Sequence, residues 1–151
     1  MRPRRTRIKK LGTRREFERA FSIRLRVFVG EQGVPREIEL DSDDRRAIHY
    51  LAFIGDRAVG TTRVLIQRGE AKIGRMAVLK SYRGRGIGRA LLRRAVSLAR
   101  KNDVKAIFLH AQVPVIGFYE KMGFRCVGRT FTEAGIPHRK MTLHESSPGS
   151  H

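Results

Sequence analysis

The sequence has one cysteine, Cys126, among 151 residues, which excludes an internal disulfide and points away from a stapled extracellular scaffold. No apolar run approaches the ~20 residues that a bilayer-spanning helix needs. The charged first residues are not followed by the apolar stretch of a secretory leader. The expectation is a protein of a reducing compartment, most simply the cytoplasm, with no membrane partner. The histidines and the lone cysteine show no ligand spacing, so no metal is expected.

Aromatic residues make up only 7% of the chain, and neither a zinc-ligand pattern nor the aromatic strand of an RNA-recognition fold occurs. Acidic residues are also scarce, 14 against 33 Lys and Arg, leaving a net charge of +19. Such a surplus implies polyanionic company or self-repulsion. Part of it lies in the opening "MRPRRTRIKK". That stretch reads as a solvated basic arm leading into a strand, in preference to a dedicated nucleic-acid contact.

What is present is enough apolar residue, 40%, for one core. Residues 1–145 read as a single domain, with 1–5 a basic arm able to fray and 146–151 a disordered polar tail. "TRIKKL" reads as a first strand. Thr13 is a plausible N-cap of a helix running to Gln32, with Phe17, Phe21, Leu25 and Phe28 on its inner face. "GVPREIELDSDD" follows as an acidic loop without periodicity, broken by Gly33 and Pro35. Three apolar runs separated by "GD" and "RGE" predict an antiparallel meander. Ile87 to Lys101 is an amphipathic helix with its stripe at 87, 91, 95 and 98, stopped by Asn102 and Asp103. "VKAIFLHAQ" is a strand, and "PVIGFYEKM" a short helix begun by Pro114 and ended by Gly123. "FRCVGRTF" and "HRKMTLH" are two last strands joined by "TEAGIP".

The stretch "SYRGRGIGRALLRR", Ser81 to Arg94, sets glycines and arginines between a strand and a helix start. Unpaired N–H groups converge at such a place and the helix dipole favours negative charge, which makes it an anion site. The dipole contributes only ~0.3 to 1 kcal/mol, so several hydrogen bonds and cations must add to it. A dinucleotide fingerprint fails, because Gly84 and Gly86 are followed at the third position by Arg89, and a Walker loop fails for want of G-K-[ST]. R-x-x-G-x-G is met by Arg83, Gly86 and Gly88, directly after "MAV", Met76 to Val78.

This pattern resembles the acetyl-CoA pyrophosphate loop of the Gcn5-related N-acetyltransferases (GNAT). "QVPVIGFYEKMGF", Gln112 to Phe124, resembles that family's following motif, N-x-x-A-x-x-F-Y-E-K-x-G-F. Gln112 and Val115 depart from it, while Phe118, Tyr119, Glu120, Lys121, Gly123 and Phe124 match. "VFVGEQGVPREIELD", "LHAQ" and "EAGIPH" are similar to a subgroup of small bacterial acetyltransferases of mostly unassigned substrate. The resemblance implies an α/β (α+β) GNAT fold: a mixed, mostly antiparallel sheet of about seven strands, splayed after the fourth and flanked by about four helices. It implies acetyl-CoA as co-substrate, an amine acceptor on a small molecule or a protein, and direct attack in a ternary complex. A homodimer through the last strands is consistent with it.

The resemblance also implies roles. Met76 would offer its N–H to the developing oxyanion, with Ala77 beside it and Val78 pairing the pantetheine amide. Arg83, Gly84, Arg85, Gly86, Ile87, Gly88 and Arg89 would wrap the pyrophosphate, Gln112 would line the carrier, and Tyr119 would reprotonate the leaving thiolate. An alkylamine of pKa ~10.4 is rarely deprotonated at neutral pH, so a base or water relay is expected. Candidates are Glu31, Glu37, Glu39, Asp41, His110, Glu133 and His138, with His110 and Glu31 favoured jointly. Glu31, Glu37, Glu39 and His138 are candidate acceptor contacts, and "EIELDSDD" as a whole could steer a cationic amine to the cleft. His49 reads as a core histidine. The alternative from another class is a non-catalytic acyl-CoA-binding or RNA-associated module that retains the fold, and a different acyl donor such as succinyl-CoA stays open.

Overall fold

The structure, a computed structural model, describes residues 5–143, so residues 1–4 of the basic arm and the whole 146–151 tail lie outside it. Seven strands form one sheet in the order β1-β2-β3-β4-β5-β7-β6. They are β1 (Thr6–Lys10), β2 (Ile48–Ile54), β3 (Arg57–Gln67), β4 (Glu70–Val78), β5 (Ala106–Gln112), β6 (Phe124–Glu133) and β7 (Ile136–Leu143). The helices are α1 (Arg14–Arg24), α2 (Arg36–Glu39), α3 (Ile87–Lys101) and α4 (Ile116–Lys121). This is the mixed, splayed α/β sheet with four helices that the resemblance implied.

Strands β1 to β4 are antiparallel neighbours, and the β2–β3 and β3–β4 turns are short because the sequence supplies left-handed residues where they are needed. Arg68 and Gly69, at φ 54° and 76°, join β3 to β4 as a two-residue turn whose twist matches the strands. Ala134 and Gly135, at φ 52° and 77°, do the same between β6 and β7. The six-residue connection expected at "TEAGIP" is therefore only these two residues, and both strands run further into it.

Thr13 caps α1 as expected: its hydroxyl accepts from Glu16 N at 3.2 Å while Glu16 accepts from Thr13 N at 3.0 Å. Beyond α1 the chain continues as a wider π-helical turn, Leu25–Glu31. The buried stripe is Ala20, Ile23, Arg24, Val27 and Phe28. Phe17 and Phe21 are only half-buried and close over His49, with ring centroids 5.2 and 6.2 Å from it. The expected aromatic face is displaced because Arg24, which a sequence pattern assigns to solvent, occupies the interior stripe.

Helix α3 covers the opposite face of the sheet through Ile87, Leu91, Leu92, Ala95 and Ala99, near the stripe expected. It lies close because residue 60 has no side chain: a Cβ on Gly60 would fall 3.1 Å from Leu91 Cδ1 and 3.2 Å from Ile87 Cγ2. The acidic loop is less irregular than expected, holding α2 and a short 3₁₀ turn, Ser42–Arg45, that Asp41 caps. Among the described residues no helix is long and apolar enough to cross a membrane.

Among the described residues β4 and β5 are the only parallel neighbours, and they pair only from Glu70↔Ala106 to Ile73↔Leu109. Past Ile73 they part. The cause is on the other edge of β4, where Thr61 pairs with Ala77 but Arg63 with Gly74, so that Thr62 faces both Arg75 and Met76. This β-bulge turns β4 away from its neighbour. Arg75 adopts φ 49°, a left-handed conformation costing roughly 1–2 kcal/mol for a residue with a Cβ. The opening between Gly74–Val78 and His110–Gln112 is where the candidate site lies.

Candidate active site

At one mouth of the opening stands the glycine turn. Gly84 and Gly86 take φ 77° and 82°, so glycine is required there by backbone conformation. A Cβ at either position would meet nothing within 4 Å, and the turn is not plugged by a side chain of the chain itself. The last turn bond before it is Arg83 N to Lys80 O, and the first of α3 is Ala90 N to Gly86 O at 3.0 Å. Among the described residues the N–H groups of 84–89 therefore lack main-chain partners and open α3 toward solvent. Open N–H groups at a helix start are the backbone geometry expected from R-x-x-G-x-G.

The arginines divide their roles differently from expectation. Arg83 turns back into the protein: its Nε donates to Val78 O at 2.9 Å and its Nη2 pairs with Glu31 at 2.9 Å. Its guanidinium is thus a strut between the end of β4 and the end of the π-helical turn, and its main-chain N–H is spent on Lys80 O, so the free donors begin at Gly84 and not at Arg83 as expected. Arg85 lies over the Tyr82 ring, 5.1 Å from its centroid, and Arg89 is exposed in the first turn of α3. Glu31, favoured as a base, is held by Arg83 instead of standing free.

Deeper in, the bulge, α3 and α4 converge. A Cβ on Gly88 would lie 3.6 Å from Phe118 Cζ and 3.8 Å from Met76 Sδ. Tyr119 directs its hydroxyl at Met76 Sδ, 4.0 Å away. Its ring meets Phe118 and Phe124 edge to face, at 5.0 and 6.2 Å. Burial pushes the phenol up to about 12, so it stays protonated at neutral pH and is a proton donor. Helix α4 places it, with Pro114 and Gly123 bounding the segment as predicted.

On the parted half of β5, His110 and Gln112 point to the face opposite Leu109 and Ala111, which are in the core. His110 Nδ1 bonds Glu133 Oε1 at 3.0 Å, and a carboxylate can only accept, so Nε2 keeps its lone pair when the ring is neutral. The His110 hydrogen bond is the largest cause that brings Glu133 down to about 2. Glu133 Oε2 lies 3.8 Å from His138 Nε2, and His138 Nδ1 donates to Ile136 O at 2.7 Å. Phe131 packs edge-on to His110 and parallel to His138, at 4.9 and 6.0 Å. Three residues scattered in sequence, His110, Glu133 and His138, are thus one cluster. Gln112, expected against the carrier, spends its side-chain amide on Gln32 Oε1 at 2.8 Å, linking β5 to the end of the π-helical turn.

Most of the acidic segment turns inward, onto arginines of the protein itself. Glu37 is exposed, but Glu39 is 3% exposed and bonded to Arg24 Nε at 2.7 Å. Asp41 takes Arg63 at 2.7 and 3.0 Å and Arg75 at 3.1 Å, and Asp44 takes Arg24 at 2.7 Å and Arg63 at 2.8 Å. Burial works to raise Asp41 and Asp44, and the arginines outweigh it and hold both below the ordinary range; for Glu39 burial wins and the shift is upward. Glu39 and Asp41 are therefore not steering charges: they neutralise buried arginines. Sequence reading missed Arg24, Arg63 and Arg75, although "TTRVL" and "IGRMAV" each set an arginine inside an apolar strand. His49 is core, as read: Nε2 donates to Asp44 O at 2.9 Å and burial lowers its pKa. Among the described residues no group of three or more His, Cys, Asp or Glu gathers that could hold a metal ion.

The family model described as an acetyltransferase (GNAT) domain matches residues 16–145. A Bacillus subtilis (strain 168) protein provisionally named an acetyltransferase is 37% identical over 143 residues, 93% of this chain and 97% of that one. Among solved structures, an acyl-CoA N-acyltransferase from Pseudomonas aeruginosa superposes with a TM-score of 0.80 at 27% identity, covering 93% of this chain and 99% of that one. Escherichia coli ElaA superposes with a TM-score of 0.83 at 25% identity, over 93% and 100% of the two chains.

Proposed function

Since this chain belongs to the acetyltransferase (GNAT) family and is an acyltransferase drawing on acyl-CoA, we propose that it moves the acetyl group of acetyl-CoA to a primary amine, on a small molecule or a protein, by direct attack in a ternary complex. The observation that carries the reading is the opening between β4 and β5, with a free N–H cradle at its mouth and the Tyr119 hydroxyl beside Met76 within it.

The cradle of 84–89 binds the diphosphate of the carrier, with Arg85 and Arg89 adding charge from outside. The pantetheine arm runs along the unpaired edge of Ala77 and Val78. His110 Nε2 takes the proton of the attacking ammonium group, and the freed amine attacks the thioester carbonyl. The N–H of Met76 receives the oxyanion, a contribution of roughly 3 kcal/mol for one well-placed donor. The C–S bond then breaks, the Tyr119 hydroxyl passes its proton to the thiolate, a leaving group of pKa ~8.5 that departs tolerably on its own, and the second proton released by the acylated nitrogen returns to the Tyr119 oxygen. Glu133 orients His110, and His138 closes the far side of the acceptor pocket. The cytoplasm is the natural setting for such a donor.

The test is release of free thiol on incubation with acetyl-CoA and a panel of amines, with succinyl-CoA as a second donor. Turnover of acetyl-CoA with at least one amine is the expected result. Calorimetry showing no uptake of coenzyme A overturns it.

A further inference from the structure

We propose that the acidic segment from Glu39 to Asp44 is a clamp that fixes the β4 bulge through Arg75, which makes Arg75 and Asp41 positioning residues for acyl transfer. The inference deepens the proposed function and rests on its assignment of the Met76 N–H to the reacting carbonyl.

The Met76 N–H belongs to the peptide unit that follows Arg75, so the backbone torsions of Arg75 set the direction in which it points. Arg75 is left-handed at φ 49°, a conformation an L-residue leaves unless its surroundings over-determine it. The guanidinium supplies that restraint. Its Nε donates to Glu39 O at 3.2 Å and pairs with Glu39 Oε2 at 3.3 Å; its Nη2 donates to Ile38 O at 3.4 Å and Asp41 Oδ2 at 3.1 Å.

The segment that receives Arg75 is itself fixed from two other elements. Arg24 of α1, fully buried, bonds Glu39 Oε1, Glu39 O and Asp44 Oδ1, each at 2.7 Å. Arg63 of β3 sits opposite Gly74, beside the bulge, and holds Asp41 and Asp44. From the same strand Thr62 Oγ1 donates to Gly74 O at 2.9 Å, gripping the bulge on its other flank. Three arginines from α1, β3 and β4 therefore meet three carboxylates of one short stretch, and the strained residue is the point they share with the opening. For stability alone, buried ion pairs offer little over well-packed apolar residues. What they add here is a fixed direction for one peptide.

Arg75→Gly tests this cleanly, because glycine accepts the left-handed backbone while removing the guanidinium. Asp41→Asn removes the charge and keeps the shape, which guards against a variant that fails to fold. The first readout is amide hydrogen exchange across 74–78, compared with α3 in the same protein. Both variants are expected to exchange roughly tenfold faster at 74–78 and unchanged in α3. The second is steady-state kinetics: kcat falls by about thirtyfold or more in Arg75→Gly, KM for acetyl-CoA and the calorimetric affinity for coenzyme A stay within about twofold, and Arg75→Lys recovers part of kcat. Unchanged exchange at 74–78 overturns the clamp. Faster exchange with unchanged kcat, or a loss of kcat that merely follows the melting temperature across the variants, overturns the positioning role. Failure of the function itself shows separately, as absence of turnover in the unaltered protein, and the exchange measurement decides on the clamp in that case too.

Discussion

Glu133 accepts a hydrogen bond from His110 Nδ1 at 3.0 Å, tying the tip of the last hairpin to the parted half of the central sheet. The bond fixes which nitrogen of His110 is left to receive a proton.

His110→Ala should lower kcat by about a hundredfold, within the range for loss of a general base, and leave KM for acetyl-CoA nearly unaltered. Glu133→Gln should lower it less, since the imidazole remains but loses its anchor. The measurement is kcat for a fixed amine across pH. An His110→Ala enzyme with full kcat would reassign the base to water or to another residue.

Tyr119→Phe should slow the reaction about ten- to a hundredfold without abolishing it, because the thiolate can leave unprotonated. With its phenol at about 12, Tyr119 contributes no alkaline limb to the rate below pH ~10. A limb that falls near pH 9 and disappears in Tyr119→Phe would contradict the burial of that hydroxyl.

Gly86→Ala forces an alanine into φ 82°, at a cost of roughly 1–2 kcal/mol, and the N–H groups of the cradle lose their convergence. Calorimetry should show coenzyme A bound about tenfold more weakly, with the fold retained. Equal affinity would place the carrier elsewhere.

His49 should contribute a pH dependence of stability just below neutrality. Its folded pKa is lowered by burial from an ordinary 6.5, so above that value both states are neutral and its contribution is complete. As pH falls below 6.5 the unfolded chain gains a proton that the folded one refuses, and stability declines toward the lowered folded value. Glu133 acts lower still: stability it lends above pH 4.5 is lost as pH falls toward about 2. Denaturant titrations between pH 5 and 8 should show the first slope and lose it in His49→Phe. A slope unchanged by that replacement would assign it to other groups.

What could be read in advance was what local sequence encodes. The glycine turn needs two left-handed residues followed by a helix start, and "RGRGIG" states this within six letters. Likewise "GFYEKMGF" carries both the helix that lifts Tyr119 and its stop at Gly123. The His110, Glu133 and His138 cluster was visible only as separate candidates, because it depends on β7 inserting between β5 and β6. The arginines were hidden for a different reason. An arginine in an apolar context reads as solvent-facing until its carboxylates are located, and those of Arg24 lie 15 and 20 residues away. The bulge had no sequence mark at all, since the left-handed position is held by Arg75 and not by the neighbouring Gly74.

Because Arg24, Arg63 and Arg75 are matched one for one by Glu39, Asp41 and Asp44, none of the +19 excess is absorbed by that cluster. The excess is displayed on the rest of the molecule, where it draws anions of every kind and at rates that fall as ionic strength rises. Preparations made in dilute buffer should carry adventitious polyphosphates or nucleic acid, which a wash in concentrated salt would strip before any titration with the acyl carrier is meaningful.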